Sequence, residues 1–345
     1  MQNDSFTNIL SGKKILIPVA IGMVVALGML FHDIHSSNIS RLTLTPDWGW
    51  ALLAAVALIM GREAGYILRY RMLSDHSLSW RQSFRITMMC EFASTITPSS
   101  VGGSSLAMLF MKRENVDMGR GTSIVLITLF LDELFFVVTC PLIFFFIPGH
   151  WLFATLGSGI RISFWCIYGL VSLWTVMLYL GIFIKPSFIK SMIMWIFRLR
   201  LLRKWQSGAS KFCEDLVATS IALRRKNIIW WSRAFLATAI SWICRYALVG
   251  AIFWAIIPNP NIALILARQA VVWLILIIVP TPGGSGVSEW LFARYYADMV
   301  TSHGASLLIA LVWRVFTYYL YIIAGLLVIP GWLKPKSKVT GKARL

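Results

Sequence analysis

The sequence predicts an all-α, polytopic integral membrane protein, and three observations lead there. Of the 345 residues 58% are hydrophobic and only 13% charged, with a mean hydropathy of +0.74, whereas a soluble domain is about half apolar and about a quarter charged. Apolar windows of roughly 17 to 25 residues recur, the length an α-helix needs to cross a hydrocarbon core ~30 Å thick. None of them alternates polar and apolar residues as an outer-membrane strand must.

Six runs read as full crossings, near residues 13–31, 48–70, 121–147, 162–184, 226–257 and 304–330. Two more stretches, 84–112 and 262–297, are apolar enough to enter the membrane but are interrupted by Pro and Gly. They read as re-entrant hairpins or helix pairs with an unwound tip. The chain divides, within one membrane domain, into an N-terminal span and outer loop (1–47), a first unit with its hairpin (48–147), a span with a basic amphipathic segment (162–227), a second unit with its hairpin (226–330) and a basic tail (331–345). The start reads as a retained anchor, because its apolar run lacks a small-residue cleavage site.

Basic residues set the orientation. About 24 of the 32 Lys and Arg lie in the N-terminal stretch, in residues 69–120 and 185–226, and after Pro330. With six crossings, and each hairpin returning to the side it left, these regions share one side. The positive-inside rule makes that side cytoplasmic, which places both termini in the cytoplasm of a bacterial-type inner or plasma membrane. The net charge of +18 is then an orientation signal and an attraction to anionic headgroups, and no nucleic acid is expected as a partner. Between Pro186 and Asn227, Trp195, Ile196 and Phe197 adjoin Arg198, Arg200, Arg203 and Lys204, which fits an interfacial helix pair or a solvated loop. The five cysteines form no CxxC and read as buried thiols.

The interrupted stretches share a pattern. EFASTITPSSVGGSS (Glu91 to Ser105) and LIIVPTPGGSGVSE (Leu276 to Glu289) each place proline shortly before a Gly-Gly pair. About 30 residues beyond each pair follows a span with charge in mid-run: Asp132 and Glu133 in the first case, Arg314 in the second. The first hairpin would enter from the cytoplasm and the second from outside, making the units inverted repeats. That architecture places substrate at the midplane between repeats that rock against each other.

Proline removes a backbone donor and glycine permits unusual backbone shapes, so both break helices. Inside a membrane such breaks persist only where protein or a wet cavity satisfies the freed groups. The candidates are Pro98, Gly102 and Gly103 in the first hairpin, and Pro280, Pro282, Gly283, Gly284 and Gly286 in the second. A helix starting near Ser285 or Ser288 would present its N-terminal amides to an anion such as a lipid phosphate; tight helix packing is the plainer explanation of the same residues. Charges within spans are expensive and so pair or line a polar path. Arg62 and Glu63 read as snorkelling to the cytoplasmic end of their helix. Arg245, Arg268 and Arg314 are expected to cluster around a phosphate, with Asp132, Glu133 and Glu289 balancing them or receiving a cationic headgroup, unless all are static ion pairs. Asp132 and Glu133 point about 100° apart on a helix and do not share one site.

Enzyme signatures are missing from the sequence: it has no HExxH, GxSxG or phosphate-loop pattern. No cofactor is expected, and His32, Asp33 and His35 read as a solvated loop rather than a metal site.

Three segments carry a family resemblance: PTPGGSGVSE at Pro280 to Glu289, WRVFTYY at Trp313 to Tyr319, and PSSVGG at Pro98 to Gly103 followed by MKR at Met111 to Arg113. Together they resemble the lysylphosphatidylglycerol synthase transmembrane region family, a flippase-like membrane domain, over about residues 13–333. In the best-known members this domain moves an aminoacylated phospholipid between leaflets while a separate domain attaches the amino acid. The resemblance therefore implies a non-enzymatic lipid translocase without the synthase half. It matches Glu289 and Arg314 to the family's intramembrane charged sites, with Asp132 and Arg245 as further matches. It implies membrane lipids as partners, whether anionic or aminoacylated phospholipid, polyprenyl-linked lipid or glycolipid, and is compatible with a homo-oligomer. Transport would be downhill, or coupled to protons through Asp132, Glu133 or Glu289. Two other readings stay open: a non-transporting accessory that docks a lipid- or glycan-modifying enzyme through residues 186–227, and an intramembrane lipid-modifying enzyme, disfavoured by the lack of a nucleophile and base.

The topology is testable by labelling single cysteines at Ser100 and Ser285 with an impermeant maleimide. Ser100 should react from the cytoplasmic side and Ser285 from outside; reaction of both from one side sinks the inverted arrangement.

Overall fold

The computed structural model describes residues 44–97, 102–184, 225–281, 283–300 and 303–333, with scattered positions between 190 and 223. The expected crossing at 13–31, most of the basic segment 186–227, the tail from 334 onwards, His32, Asp33 and His35, and the tip prolines Pro98 and Pro282 lie outside the described residues.

Among the described residues every regular element is helical, and the protein is an all-α polytopic membrane protein. The elements are α1 (Trp48–Leu73), α2 (Trp80–Ile96), α3 (Gly102–Arg113), α4 (Met118–Phe146), the single turn α5 (Gly149–Leu152), α6 (Ser158–Tyr179), α7 (Ile228–Trp254), α8 (Ile262–Leu276), α9 (Val287–Tyr295), α10 (His303–Arg314) and α11 (Leu320–Leu333). Helix α6 runs on into a π-turn at Leu180–Ile184, and a second π-turn, Val315–Tyr319, joins α10 to α11. Five segments are long and apolar enough to cross a membrane: Trp48–Leu73, Met118–Phe146, Ser158–Ile184, Ile228–Trp254 and Leu308–Val328. They coincide with the five later runs expected from sequence.

Local chemistry sets the boundaries. Helix α1 stops where Asp75 and His76 turn left-handed, at φ 49° and 61°. Helix α2 opens with a reciprocal cap in which Ser79 Oγ accepts the Gln82 N–H and Gln82 Oε1 accepts the Ser79 N–H, satisfying two donors that a helix start leaves orphaned. The side chains of Asp117, Asn227 and Asn261 cap α4, α7 and α8 in the same spirit.

Each interrupted stretch folds as two helices, α2 with α3 and α8 with α9, and the described residues between α8 and α9 are non-helical. At 1.5 Å per residue the 12 residues of α3 and the 9 of α9 are too short to span ~30 Å alone. Buried apolar side chains form two clusters. One gathers around α5 to α10 with the C-terminal half of α4, including Phe135, Trp242, Phe253, Phe292 and Trp313. The other gathers around α2, α3 and the N-terminal half of α4, including Ile86, Phe92, Met111, Ile124 and Tyr318. Each hairpin thus sits in its own apolar cluster.

Helices α1 and α7 run antiparallel and in close contact. Thr45, just before α1, donates through N–H to Ala255 O and through Oγ1 to Trp254 O at the end of α7, and Lys226 ahead of α7 pairs with Asp75 beyond α1 at 2.5 Å. Between those ends, a Cβ at Gly65 would stand 2.7 Å from Ala237 O, and Ser241 Oγ donates to Arg62 O across the seam at 2.9 Å. Substituting Gly65 with Leu should force these backbones apart and destabilise the protein by about 1–3 kcal/mol or more, seen as a lower thermal midpoint in detergent; an unchanged midpoint would contradict this seam.

Candidate functional site

The two hairpin tips touch. The N–H of Gly283 points to Thr97 O at 3.4 Å. Gly283 adopts φ +56°, and a Cβ there would fall 2.3 Å from the Tyr318 ring and 3.2 Å from Thr95 O, so conformation and space both require glycine. In the first hairpin a Cβ at Gly103 would stand 2.4 Å from Cys90 O, which lets α3 lie directly on α2. Gly284 and Gly286 are also left-handed, at φ 72° and 84°. Pro280 and Thr281 follow the last turn of α8, and Pro280 is exposed.

Beside this contact lies a cavity of about 220 Å³ between the two apolar clusters. Both hairpins contribute, through Glu91, Ser94, Thr95 and Gly103 and through Leu276, Gly283 and Gly284. The rest of the wall comes from α1, α4, α7 and the α10 junction. Four arginines line it: Arg62, Arg69, Arg245 and Arg314. An uncompensated guanidinium there would be prohibitively desolvated, and each has a carboxylate. Glu91 bridges two of them, bonding Arg62 and, at 3.3 Å, Arg245. Arg62 also bonds Glu63, at 2.9 Å, and the Tyr321 hydroxyl. Arg69 holds both oxygens of Asp132 at 2.5 and 3.1 Å, and Trp242 Nε1 adds a third donor at 2.8 Å.

Arg245 is the least committed of the four. Among the described residues only its Nη2 has a hydrogen-bond partner, and its Nε is buried without one. It is held instead by ring faces, 4.5 Å from the centroid of Trp273, 4.8 Å from Trp242 and 5.7 Å from Tyr66, a cation–π arrangement that strengthens as water is excluded.

Arg314 fastens the second tip. Nε donates to Glu289 Oε1 at 2.6 Å, Nη1 to Gly283 O at 3.0 Å and Nη2 to Ser285 Oγ at 3.1 Å. Of five N–H donors, two remain for the cavity. Glu289 Oε2 in turn accepts the Gly286 N–H and the Ser288 hydroxyl, each at 2.8 Å. The N-terminus of α9, expected to stand open to an external anion, is therefore already capped by its own carboxylate, whose charge complements the helix dipole.

The other expected residues divide. Asp132, Glu133, Arg245, Arg314, Gly103, Gly283 and Gly284 line one cavity, and Glu289 stands behind Arg314. Glu133 has no basic partner among the described residues, and its Oε2 is buried without a hydrogen bond. Gly102 begins α3. Arg268 does not join the basic cluster. It lies buried elsewhere, paired to Asp298 at 2.5 and 2.7 Å and donating to Tyr295 O and Trp151 O; it points from α8 toward the loop ends rather than toward the hairpin tip. The snorkelling expected of Arg62 and Glu63 is also corrected, since Arg62 sits mid-way along the 26-residue α1 and is 4% exposed. Arg69 and Tyr66 escaped the sequence reading. Their signal was spacing, because Arg62, Tyr66 and Arg69 at i, i+4 and i+7 share one helix face.

This geometry belongs to a chain that matches the Lysylphosphatidylglycerol synthase TM region over residues 15–325. The chain belongs to that family. A similar curated protein from Archaeoglobus fulgidus, described as a UPF0104 membrane protein, is 27% identical over 274 residues, which covers 75% of this chain and 80% of the relative. No solved structure gives a significant match. The family match spans both hairpins and all four cavity arginines.

The Arg268–Asp298 pair gives a test of structure apart from the cavity. Replacing Asp298 with Ala leaves a buried guanidinium without its carboxylate, a change that costs ~3–5 kcal/mol for fully buried pairs and less here because Asp298 is 37% exposed. A clearly lowered thermal midpoint is expected; a midpoint equal to wild type would remove the pair from the account.

Proposed function

We propose that the protein is a lipid translocase, in which a headgroup passes through the cavity between the hairpin tips while its acyl chains stay in the bilayer. The observation that carries this reading is the meeting of two Pro/Gly-broken tips at a cavity lined by four arginines inside a helix bundle. Membership of a family described as the membrane region of a lipid synthase supports lipid handling. A phosphate suits the site: Arg245 has unused donors beside aromatic faces, and Arg314 offers two more. Their guanidinium groups can take phosphate oxygens pairwise. The two units, each a long helix, a hairpin and a second long helix, are the bodies that would rock against each other. The membrane lipid is then substrate and the reaction non-enzymatic, with both termini facing the cytoplasm.

Leaflet exchange of fluorescent anionic and aminoacylated phospholipids in proteoliposomes tests the reading. Wild type should exchange lipid well above protein-free vesicles. Arg245→Ala should slow exchange about ten- to hundredfold, the kinetic equivalent of the ~1.5–3 kcal/mol carried by a hydrogen bond to a charged group, and because Glu91 keeps Arg62 as a partner its thermal midpoint should fall less than that of a variant that leaves a buried charge alone. Background exchange by wild type across the lipid panel would refute translocation of these lipids.

A further inference from the structure

Resting on the translocase reading, we propose that Glu133 is the proton-binding site of the cavity and that a proton is carried with each anionic headgroup. Among the described residues the charges of the cavity do not balance. The cavity's four arginines, Arg62, Arg69, Arg245 and Arg314, are met by five carboxylates: Glu63, Glu91, Asp132, Glu289 and Glu133. The first four carboxylates all have guanidinium partners. Glu133 has none, and its Oε2 is buried without a hydrogen bond while the side chain lines the cavity. The nearby Thr128 Oγ1, also on the cavity wall, is buried and unpartnered too.

Among the described residues, the elements packed against α4 bring Glu133 no basic partner. Helix α4 packs against α1, α3, α6, α7 and α8. On α1, Arg62 and Arg69 are engaged by Glu63, Glu91 and Asp132, with the phenols of Tyr66 and Tyr70 beside them. On α3, Lys112 and Arg113 sit in the last turn, away from the tip. From α6 come Trp174 and Thr175, the polar neighbours of Glu133, with Tyr168 bonded to Val137 O and Arg161 stacked on Phe153. On α7, Arg245 is bonded to Glu91 and Tyr246 is buried, while Arg233 lies in the second turn. On α8, Arg268 is bound to Asp298. Across the cavity on α2 stands the Cys90 thiol. Adjacent Asp132 is held by Arg69 and Trp242.

With every group ionised the cavity set carries one excess negative charge, five carboxylates against four guanidinium groups. A phosphate entering would meet a second like charge where screening is weak. A proton on Glu133 makes the set neutral, so headgroup and proton favour each other's presence, as linkage requires. Unpaired carboxylates inside membranes serve as proton relays on the same grounds. Of the three carboxylates the sequence offered for coupling, Asp132 and Glu289 are held in ion pairs, which leaves Glu133.

Two readouts on the full-length protein in proteoliposomes test this. The first is infrared difference spectroscopy over the neutral pH range. A protonated carboxylic acid band that titrates in wild type, persists in Glu133→Asp and is missing from Glu133→Gln is expected; its absence from wild type overturns the proposal whatever the lipids do. The second is the steady-state distribution of a labelled anionic phospholipid under an imposed gradient of one pH unit. One proton per lipid should shift that distribution by up to about tenfold, and Glu133→Gln should abolish the shift. Lipid exchange indifferent to the gradient in wild type overturns proton coupling but leaves translocation standing. A titrating Glu133 band without any lipid movement sinks the translocase reading and with it the coupling.

Discussion

Everything around the cavity follows from the difficulty of keeping a guanidinium out of water. Four arginines line a cavity inside the helix bundle, and each is matched by a carboxylate, a ring face or both. Truncating one member of such a pair costs several kcal/mol because the other is left buried and alone. The pairs also choose the architecture. Glu91 comes from the first hairpin, Arg62 from α1 and Arg245 from α7, so a single carboxylate ties three elements together. Arg314 does the same for the second tip by bonding Glu289, Gly283 and Ser285 at once.

The charge network occupies the gap between two apolar clusters, and this arrangement is what suggests motion. A continuous core would resist rearrangement, because close-packed interiors transmit strain rather than absorb it. Here the hairpins are anchored in different clusters and meet through a long Gly283–Thr97 hydrogen bond and the Tyr318 ring. The π-turn at Val315–Tyr319 places Tyr318 against Gly283 directly after the arginine that fastens the tip. Such turns often mark functional sites. Among the described residues the tip contact is made through one long hydrogen bond, whereas α1 against α7 is bonded at both ends and locked at Gly65.

Much of this was legible in the sequence. Length and hydropathy locate the helices, since a span is set by bilayer thickness, and the Pro/Gly breaks locate both tips. Glu289 and Arg314 were legible as intramembrane charged residues, although their pairing as a fastening for the tip was not: which donor faces which acceptor depends on the left-handed turns at Gly283, Gly284 and Gly286. Arg268 misled because an intramembrane arginine looks alike whether its partner is 30 residues ahead, as Asp298 is, or across a cavity. Arg62 misled because it read as lying toward the cytoplasmic end of its helix, while its partners Glu91 and Tyr321 come from distant elements. Long-range pairing of charges is the part that one chain read in order does not reveal.

The central claim is that the hairpin tips must part for a headgroup to cross. It is tested most directly by joining them with a short, cleavable thiol cross-linker between cysteines placed at Thr97 and Ser285, and following lipid leaflet exchange before and after cleavage. The account predicts that exchange stops when the tips are tied and returns when the linker is cut. Undiminished exchange through tied tips would contradict it.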